Sequence, residues 1–282
     1  MNTPTRYLML PLLLLLSCWA QCLAQIDVRL EPVRREYLLG ETAAVRLIIT
    51  NYTDSPVQLS GTPERSWLYL SVTRSGASST PLSPVHPPRF PDIKVMPGSR
   101  RAYTFELQPL YRLNYEGLYR ISATLRMPDQ HTTYTSNSVS ISMSPGATVR
   151  SFTVQVRGQR LQMNVKMLAM EGKTMLFGQV VNPDTRIALG ACMLAQYLNF
   201  MEPRVLLDRA QNLHVLCQST AEFYTYAVMD TNGARRELKL YKRAGGPVDL
   251  VSTGSGIRTV GLAPYVKNTK PNSQYHSATE RP

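Results

Sequence analysis

From Tyr119 to Arg126 the chain reads Tyr-Arg-Ile-Ser-Ala-Thr-Leu-Arg, with apolar and polar side chains alternating without error. A strict period of two puts one set on a buried face and the other in water, which is the signature of a strand in an antiparallel sheet. A second run does the same: Ala43, Val45, Leu47 and Ile49 point one way, and Arg46 and Thr50 the other. No helical period of comparable length competes with these runs, so the chain is read as all-β.

Further short runs fill the first half. They are Ile26–Leu30, Val57–Leu59, Trp67–Arg74, Ile93–Val95, Arg101–Leu107, Gly117–Met127 and Thr133–Met143, separated by Gly, Pro, Asn and Ser clusters. About eight strands over residues 25–147 imply an antiparallel sandwich of two sheets. Trp67 lies in the third long run, where a sandwich of the immunoglobulin type buries a tryptophan. Glu116-Gly117-Leu118-Tyr119 has the pattern of a tyrosine corner, in which the phenol bonds nearby backbone. Ile121 stands where an antibody domain carries its second cysteine, so no inter-sheet disulfide is expected.

Tyr37-Leu38-Leu39-Gly40-Glu41, Ile48-Ile49-Thr50-Asn51 and the stretch Asn114 to Tyr119 together resemble the immunoglobulin-like domains of exported bacterial proteins. The resemblance covers roughly 120 residues and rests on spacing. It implies a domain that binds, spaces or stiffens. A related intracellular proteinase-inhibitor fold uses the same kind of sandwich, and fold analogy assigns no function.

Pro145-Gly146-Ala147 marks a boundary, and residues 148–264 are read as a smaller β-meander domain. Phe152–Arg157, Leu161–Leu168 and Thr174–Val181 read as strands or partly helical pieces, and Arg186–Phe200 is too densely apolar for either period. A clearer meander follows at Asn212–Gln218, Phe223–Asp230, Glu237–Lys242, Val248–Val251 and Ile257–Leu262. Asn232-Gly233 between two of these runs is a hairpin signal, since the pair suits the positive φ of a tight turn. The segment from Leu213 through this hairpin resembles a single β-propeller blade, whereas a propeller needs several to close. Residues 265–282 are polar and aperiodic and read as a disordered tail.

Residues 1–24 follow the secretory pattern: Arg6, the apolar run Tyr7–Leu16, and Cys22-Leu23-Ala24 before Gln25. The run is too short to span a bilayer, and no later segment qualifies, so no transmembrane span is expected. Leu15-Leu16-Ser17-Cys18 is a competing lipobox pattern that would place a lipid anchor on Cys18. Leu at its middle position and Trp19 fit it imperfectly, so plain cleavage is the expected fate. The expected location is therefore periplasmic or extracellular.

Export decides what the charge means. The chain carries 31 Lys and Arg against 19 Asp and Glu, a net +12, which inside a cell would point to nucleic acid. Outside it, an envelope protein or an anionic glycan is the expected partner and nucleic acid is not. Residues 25–145 hold 13 basic and 10 acidic side chains, and residues 146–282 hold 17 and 9. The anionic-ligand surface is accordingly placed on the second half, at Arg235, Arg236, Lys239, Lys242 and Arg243 around the hairpin. In the first half, Pro81, Pro84, Pro87, Pro88 and Pro91 stiffen the connection from Ser78 to Asp92. Its His86, Arg89 and Phe90 would contact a partner if the loop inserts into a groove; the alternative is a loop kept extended at a sheet edge.

No catalytic residue, metal site or cofactor is assigned. The four histidines lack metal spacing, no CxxC pair occurs, and neither a G-x-S-x-G elbow nor a phosphate-binding glycine loop is present. After signal cleavage Cys192 and Cys217 remain. A disulfide between them would close about 25 residues and stabilise by about 3 kcal/mol; two core thiols are the equal alternative. The expected function is a non-enzymatic binding or scaffolding protein of the cell envelope. An inhibitor of a secreted or envelope protease and a polysaccharide-active hydrolase or lyase are the alternatives.

Overall fold

Period-two alternation becomes sheet throughout the structure, a computed structural model that describes residues 26–265 apart from 63, 64, 77–79, 109, 129, 130 and 255. Among the described residues there are strands and connections and no helix. Residues 1–25, which hold the secretory pattern and Cys18, and residues 266–282 lie outside the described residues. The chain divides into two compact units at Pro145 and Gly146. Ala147 and Thr148, one on each side of the boundary expected from sequence, both belong to the first strand of the second unit, opposite Met167 and Lys166.

The first unit comprises β1 (Ile26–Pro32), β2 (Glu36–Leu38), β3 (Ala44–Asn51), β4 (Val57–Leu59), β5 (Leu68–Arg74), β6 (Ile93–Val95), β7 (Arg100–Glu106), β8 (Gly117–Arg126), β9 (Thr133–Thr135) and β10 (Val139–Ser144). One sheet runs β1-β3-β7 and the other β2-β10-β8-β5, with β9 on β8 and a small β4-β6 pair. Every pairing is antiparallel except β2 with β10. Val45, Leu47 and Ile49 of β3 share one core with Leu70 and Val72 of β5 and Ile121 and Ala123 of β8. Each fully buried Val, Leu or Ile among them contributes about 1.5–3 kcal/mol relative to exposure. Trp67 is buried in this core at 3% exposure. The run expected over Thr133–Met143 is broken at Ser136, which is bonded to Ala123 through both its amide and its hydroxyl. Next to it, the Asn137 side-chain amide closes two hydrogen bonds on Leu30 of β1, at 2.9 and 3.0 Å.

The second unit comprises β11 (Ala147–Val156), β12 (Gln159–Met170), β13 (Lys173–Val181), β14 (Ala188–Gln196), β15 (Arg204–Leu207), β16 (Leu213–Gln218), β17 (Phe223–Met229), β18 (Arg235–Arg243), β19 (Asp249–Thr253), β20 (Gly256–Val260) and β21 (Leu262–Pro264). Where the sequence displays one blade-like meander, the structure has two: β11-β12-β13-β14 and β15-β16-β17-β18-β21. They share a core in which Met163, Val165, Leu176 and Val180 meet Val215, Cys217, Ala227 and Met229. On the other face of the second sheet, the β19-β20 hairpin brings Leu250 onto Leu216, Tyr226 and Tyr241. β16 and β17 are thus covered on both sides and carry no polar alternation, as strands between two layers should.

The turn after β17 differs from the tight hairpin expected of Asn-Gly. Only Gly233 has a positive φ, 80°. The Gly233 amide donates to the Asp230 carbonyl at 3.0 Å, and the Asp230 amide to the Ala234 carbonyl at 3.0 Å. This is a three-residue loop with a left-handed glycine, and the ladder shifts register beside it. Tyr265, assigned to the tail from sequence, is held: its amide donates to the Leu240 carbonyl at 2.8 Å, and its ring lies 4.8 Å from that of Phe223.

Candidate binding site

The Tyr119 hydroxyl donates to the carbonyl of Tyr115 at 2.8 Å, closing the corner that opens β8. Burial raises the Tyr119 pKa above its usual value, outweighing the bonds to Tyr115 and the nearby Arg74 that act against it. Tyr119 lies opposite Arg74 of β5 in the ladder. The Arg74 guanidinium covers the ring of Tyr115, 4.9 Å from its centroid. One buried phenol therefore fixes both a cation and an aromatic ring at the mouth of a hollow.

That hollow, of about 570 Å³, is lined by Arg74, Arg112, Tyr115 and Tyr119 and by Leu82 and Pro84 of the proline-rich loop. Pro84 also lines a second hollow of about 370 Å³, whose walls include Tyr69, Tyr111 and Arg126. Among the described residues no acidic side chain lines either one. Arg74, Arg112 and Arg126 have no carboxylate partner among the described residues. Tyr115 and Tyr69 are 67% and 55% exposed, one beside each hollow. Cation, aromatic face and apolar floor in a volume of this size suit an anionic small molecule or a segment of an anionic polymer.

The loop that forms the shared wall runs along the outer edge of β5, the last strand of its sheet. The Leu82 amide donates to the Val72 carbonyl at 2.7 Å, and the Val85 amide to the Leu110 carbonyl at 2.8 Å. The Tyr111 hydroxyl donates to the carbonyl of Leu70. Two outward carbonyls of β5 are thereby occupied, one of the ways proteins protect a sheet edge. Phe90, expected to face a partner, instead turns inward, edge-on to Trp67 at 6.0 Å and to Phe105 at 5.0 Å. An apolar ring this close to an open seam in the core gains more from burial than from exposure. His86 and Arg89 are exposed and line neither hollow.

The cations named around the second unit's hairpin are engaged locally. Arg236 pairs with Asp230 at 2.6 Å, and Lys239 with Glu237. Lys242 lies 3.6 Å from Glu222 and over the rings of Phe223 and Tyr265. Arg235 donates to the Met193 carbonyl at 2.8 Å, and Arg243 reaches that of Gly246 at 3.5 Å. Three carboxylates, of which Glu237 sits inside the cluster in sequence and Asp230 and Glu222 lie outside it, take Arg236, Lys239 and Lys242 into pairs.

Cys192 and Cys217 are separate thiols in the structure. They stand on different sheets, and Cys217 directs its thiol at the Gln196 carbonyl, 3.8 Å away. Burial pushes the Cys217 thiol up to about 12, so it is no nucleophile.

Sequence reasoning overlooked a buried polar chain in the second unit. His214 Nδ1 lies 2.6 Å from the Tyr226 hydroxyl, and Nε2 lies 3.1 Å from Asp208. A carboxylate only accepts, so Nε2–H donates to Asp208 and the Tyr226 hydroxyl donates to Nδ1. Burial would raise the Asp208 pKa, but the bonds from Asn212 and His214 outweigh it and hold the carboxyl below its usual value. Burial pushes the Tyr226 hydroxyl up to about 12. Every member is satisfied from within, which describes a structural pin. Alternation on β16 gave the only hint of it, by placing His214 opposite Val215 and Cys217.

No protein-family model matches the chain, and no curated protein matches it in sequence. Among solved structures it is similar to the sporulation control protein Spo0M of Bacillus subtilis, at 8% identity and a TM-score of 0.28, over 58% of this chain and 82% of that one. It is also similar to the E. coli chaperone DraB, at 13% identity and a TM-score of 0.24, over 76% of this chain and 96% of that one. A third likeness is to the CsuC-CsuE chaperone-tip adhesion subunit pre-assembly complex from the archaic chaperone-usher Csu pili of Acinetobacter baumannii, at 11% identity and a TM-score of 0.23, over 76% of this chain and 97% of that one. Superpositions this loose fix neither a family nor a function. Among the described residues no helix is long and apolar enough to cross a membrane, and no group of three His, Cys, Asp or Glu side chains is placed to hold a metal ion.

Proposed function

We propose that the chain is an exported, non-enzymatic binding protein of the cell envelope, and that it binds through the paired hollows beside the proline-rich loop of the first unit. The observation that carries this reading is the lining: three guanidiniums without carboxylate partners among the described residues and two exposed tyrosines, with Tyr115 and Arg74 set by the Tyr119 corner. The secretory pattern of residues 1–24 supports the location. The loop's attachment to its own sandwich at Val72 and Leu110 favours a wall of a site over the inserting element of a protease inhibitor.

The test is retention from native envelope extract on residues 25–282, beside the same bait carrying Arg74→Ala and Arg112→Ala. A component held by the first and lost from the second is the expected result. Equal retention on both baits, or none on either, overturns the assignment. Fractionation of cells expressing the full chain checks the location, and recovery in the cytoplasm would contradict export.

A further inference from the structure

We infer that the paired hollows form one extended site for an acidic oligosaccharide, a short run of sugar rings bearing carboxylates or sulfates. This inference rests on the reading that the first unit binds through these hollows, and it names the ligand class. The argument begins with repetition. Each hollow offers an exposed tyrosine and at least one guanidinium, Tyr115 with Arg74 and Arg112 in one and Tyr69 with Arg126 in the other. They adjoin at Pro84, which lines both. A site that repeats its chemistry suits a ligand that repeats its own.

Each part matches a feature of such a chain. A pyranose ring presents an apolar face of C–H bonds, and an aromatic side chain that is rigid, flat and partly wet is the surface on which such a face rests. Arg74 covers one side of the Tyr115 ring while the residue stays 67% exposed, so the remaining ring surface is open. Guanidinium groups bind carboxylates and sulfates through paired N–H donors. Among the described residues neither hollow carries an acid to repel the ligand.

The competing ligand, an acidic peptide, is disfavoured by the edge. Peptides commonly bind a sandwich by adding a strand to a free sheet edge. Beside these hollows the edge is β5, and its outward carbonyls at Leu70 and Val72 already accept from Tyr111 and Leu82. A peptide would find those two ladder acceptors already taken. An oligosaccharide needs no ladder.

The experiment is calorimetric titration of residues 25–282 with three probes: oligogalacturonates of two to six rings, neutral malto-oligosaccharides of the same lengths, and an oligo-glutamate peptide. Oligogalacturonate is expected to bind, to gain affinity as it grows long enough to span both hollows, and to weaken with added salt. Arg74→Ala, Arg112→Ala and Arg126→Ala are each expected to weaken it about tenfold, and Tyr115→Ala and Tyr69→Ala severalfold. Arg160→Ala on β12, whose partner Asp184 is likewise exposed, is the control and is expected to leave binding unchanged. Circular dichroism and an unchanged unfolding midpoint establish that each variant is folded. Equal binding of neutral sugars, binding of the glutamate peptide alone, or binding insensitive to the arginine variants each overturns the ligand class. If no probe binds while envelope extract still yields an Arg74-dependent partner, the ligand class fails and the binding site stands. If both experiments are empty, both fail.

Discussion

Asp230 holds the β17-β18 turn with both carboxylate oxygens. One accepts the amides of Asn232 and Ala234 at 2.9 Å each, and the other accepts Arg236 at 2.6 Å. Asp230→Ala strands two backbone donors at a site only 6% exposed and is expected to lower stability by about 2 kcal/mol, read from urea unfolding. The same turn presses on the neighbouring sheet. A Cβ at Gly190 would stand 2.3 Å from the Asn232 carbonyl oxygen, and that neighbour is backbone. Gly190→Ala is therefore expected to cost about 1–3 kcal/mol by overpacking, and a variant as stable as the parent would show that the turn is not seated there. The cysteines give a third check at this scale. Residues 25–282 should titrate two thiols per chain after denaturation, with Cys217 unreactive toward an aromatic disulfide reagent in the native state because it is 1% exposed. No thiol after denaturation would mean that the two cysteines are bridged.

The proline-rich loop, an element without regular structure, occupies the edge of β5 through Leu82 and buries Phe90 against Trp67 and Phe105. Replacing residues 80–91 by a Gly-Ser linker of equal length would expose that edge and open the core. Light scattering on storage should then reveal self-association that the parent lacks; a monodisperse variant would contradict the assignment. How much of this was legible in the sequence depends on how many faces each element buries. β8 and β3 each have a wet face, so their alternation names them. β13, β16 and β17 are buried on both sides, with Leu176 to Val180 covered without interruption, and period two is erased there. Trp67 and Tyr119 could be picked out because each belongs to a local pattern. The hollows could not, because Arg74 and Tyr119 are far apart in sequence and meet only through the β5-β8 register. The basic residues of β18 were visible. One partner, Glu237, sits among them in sequence, whereas Glu222 was hidden for the same reason: it reaches Lys242 beside the β17-β18 ladder.

At the scale of the whole molecule, the shifted carboxylates of the two units answer acid in opposite senses. In the second, burial would raise the pKa of Asp208 and Asp230, but hydrogen bonds from Asn212 and His214 to one, and from Ala234, Asn232 and Arg236 to the other, hold both below the usual 3.8. Unfolding such groups in acid takes up protons, so the stability they confer is full above about pH 4 and is lost as pH falls through their depressed values. In the first unit, burial raises Glu41 above its usual 4.5 and outweighs the lowering influence of its partner Arg34. Its contribution has the other sign: present in full below 4.5 and lost as pH rises through the raised value. Each unit owns its core, so residues 26–145 and 146–265 are expected to fold when expressed separately. Between about pH 6 and pH 3 the urea midpoint of the second should fall more steeply than that of the first. Asp208→Asn with Asp230→Asn should flatten the second unit's profile while lowering its plateau, since an amide keeps some hydrogen bonding and loses the charge. Parallel pH profiles for the two units, or a slope untouched by the double variant, would show that acid acts through other groups.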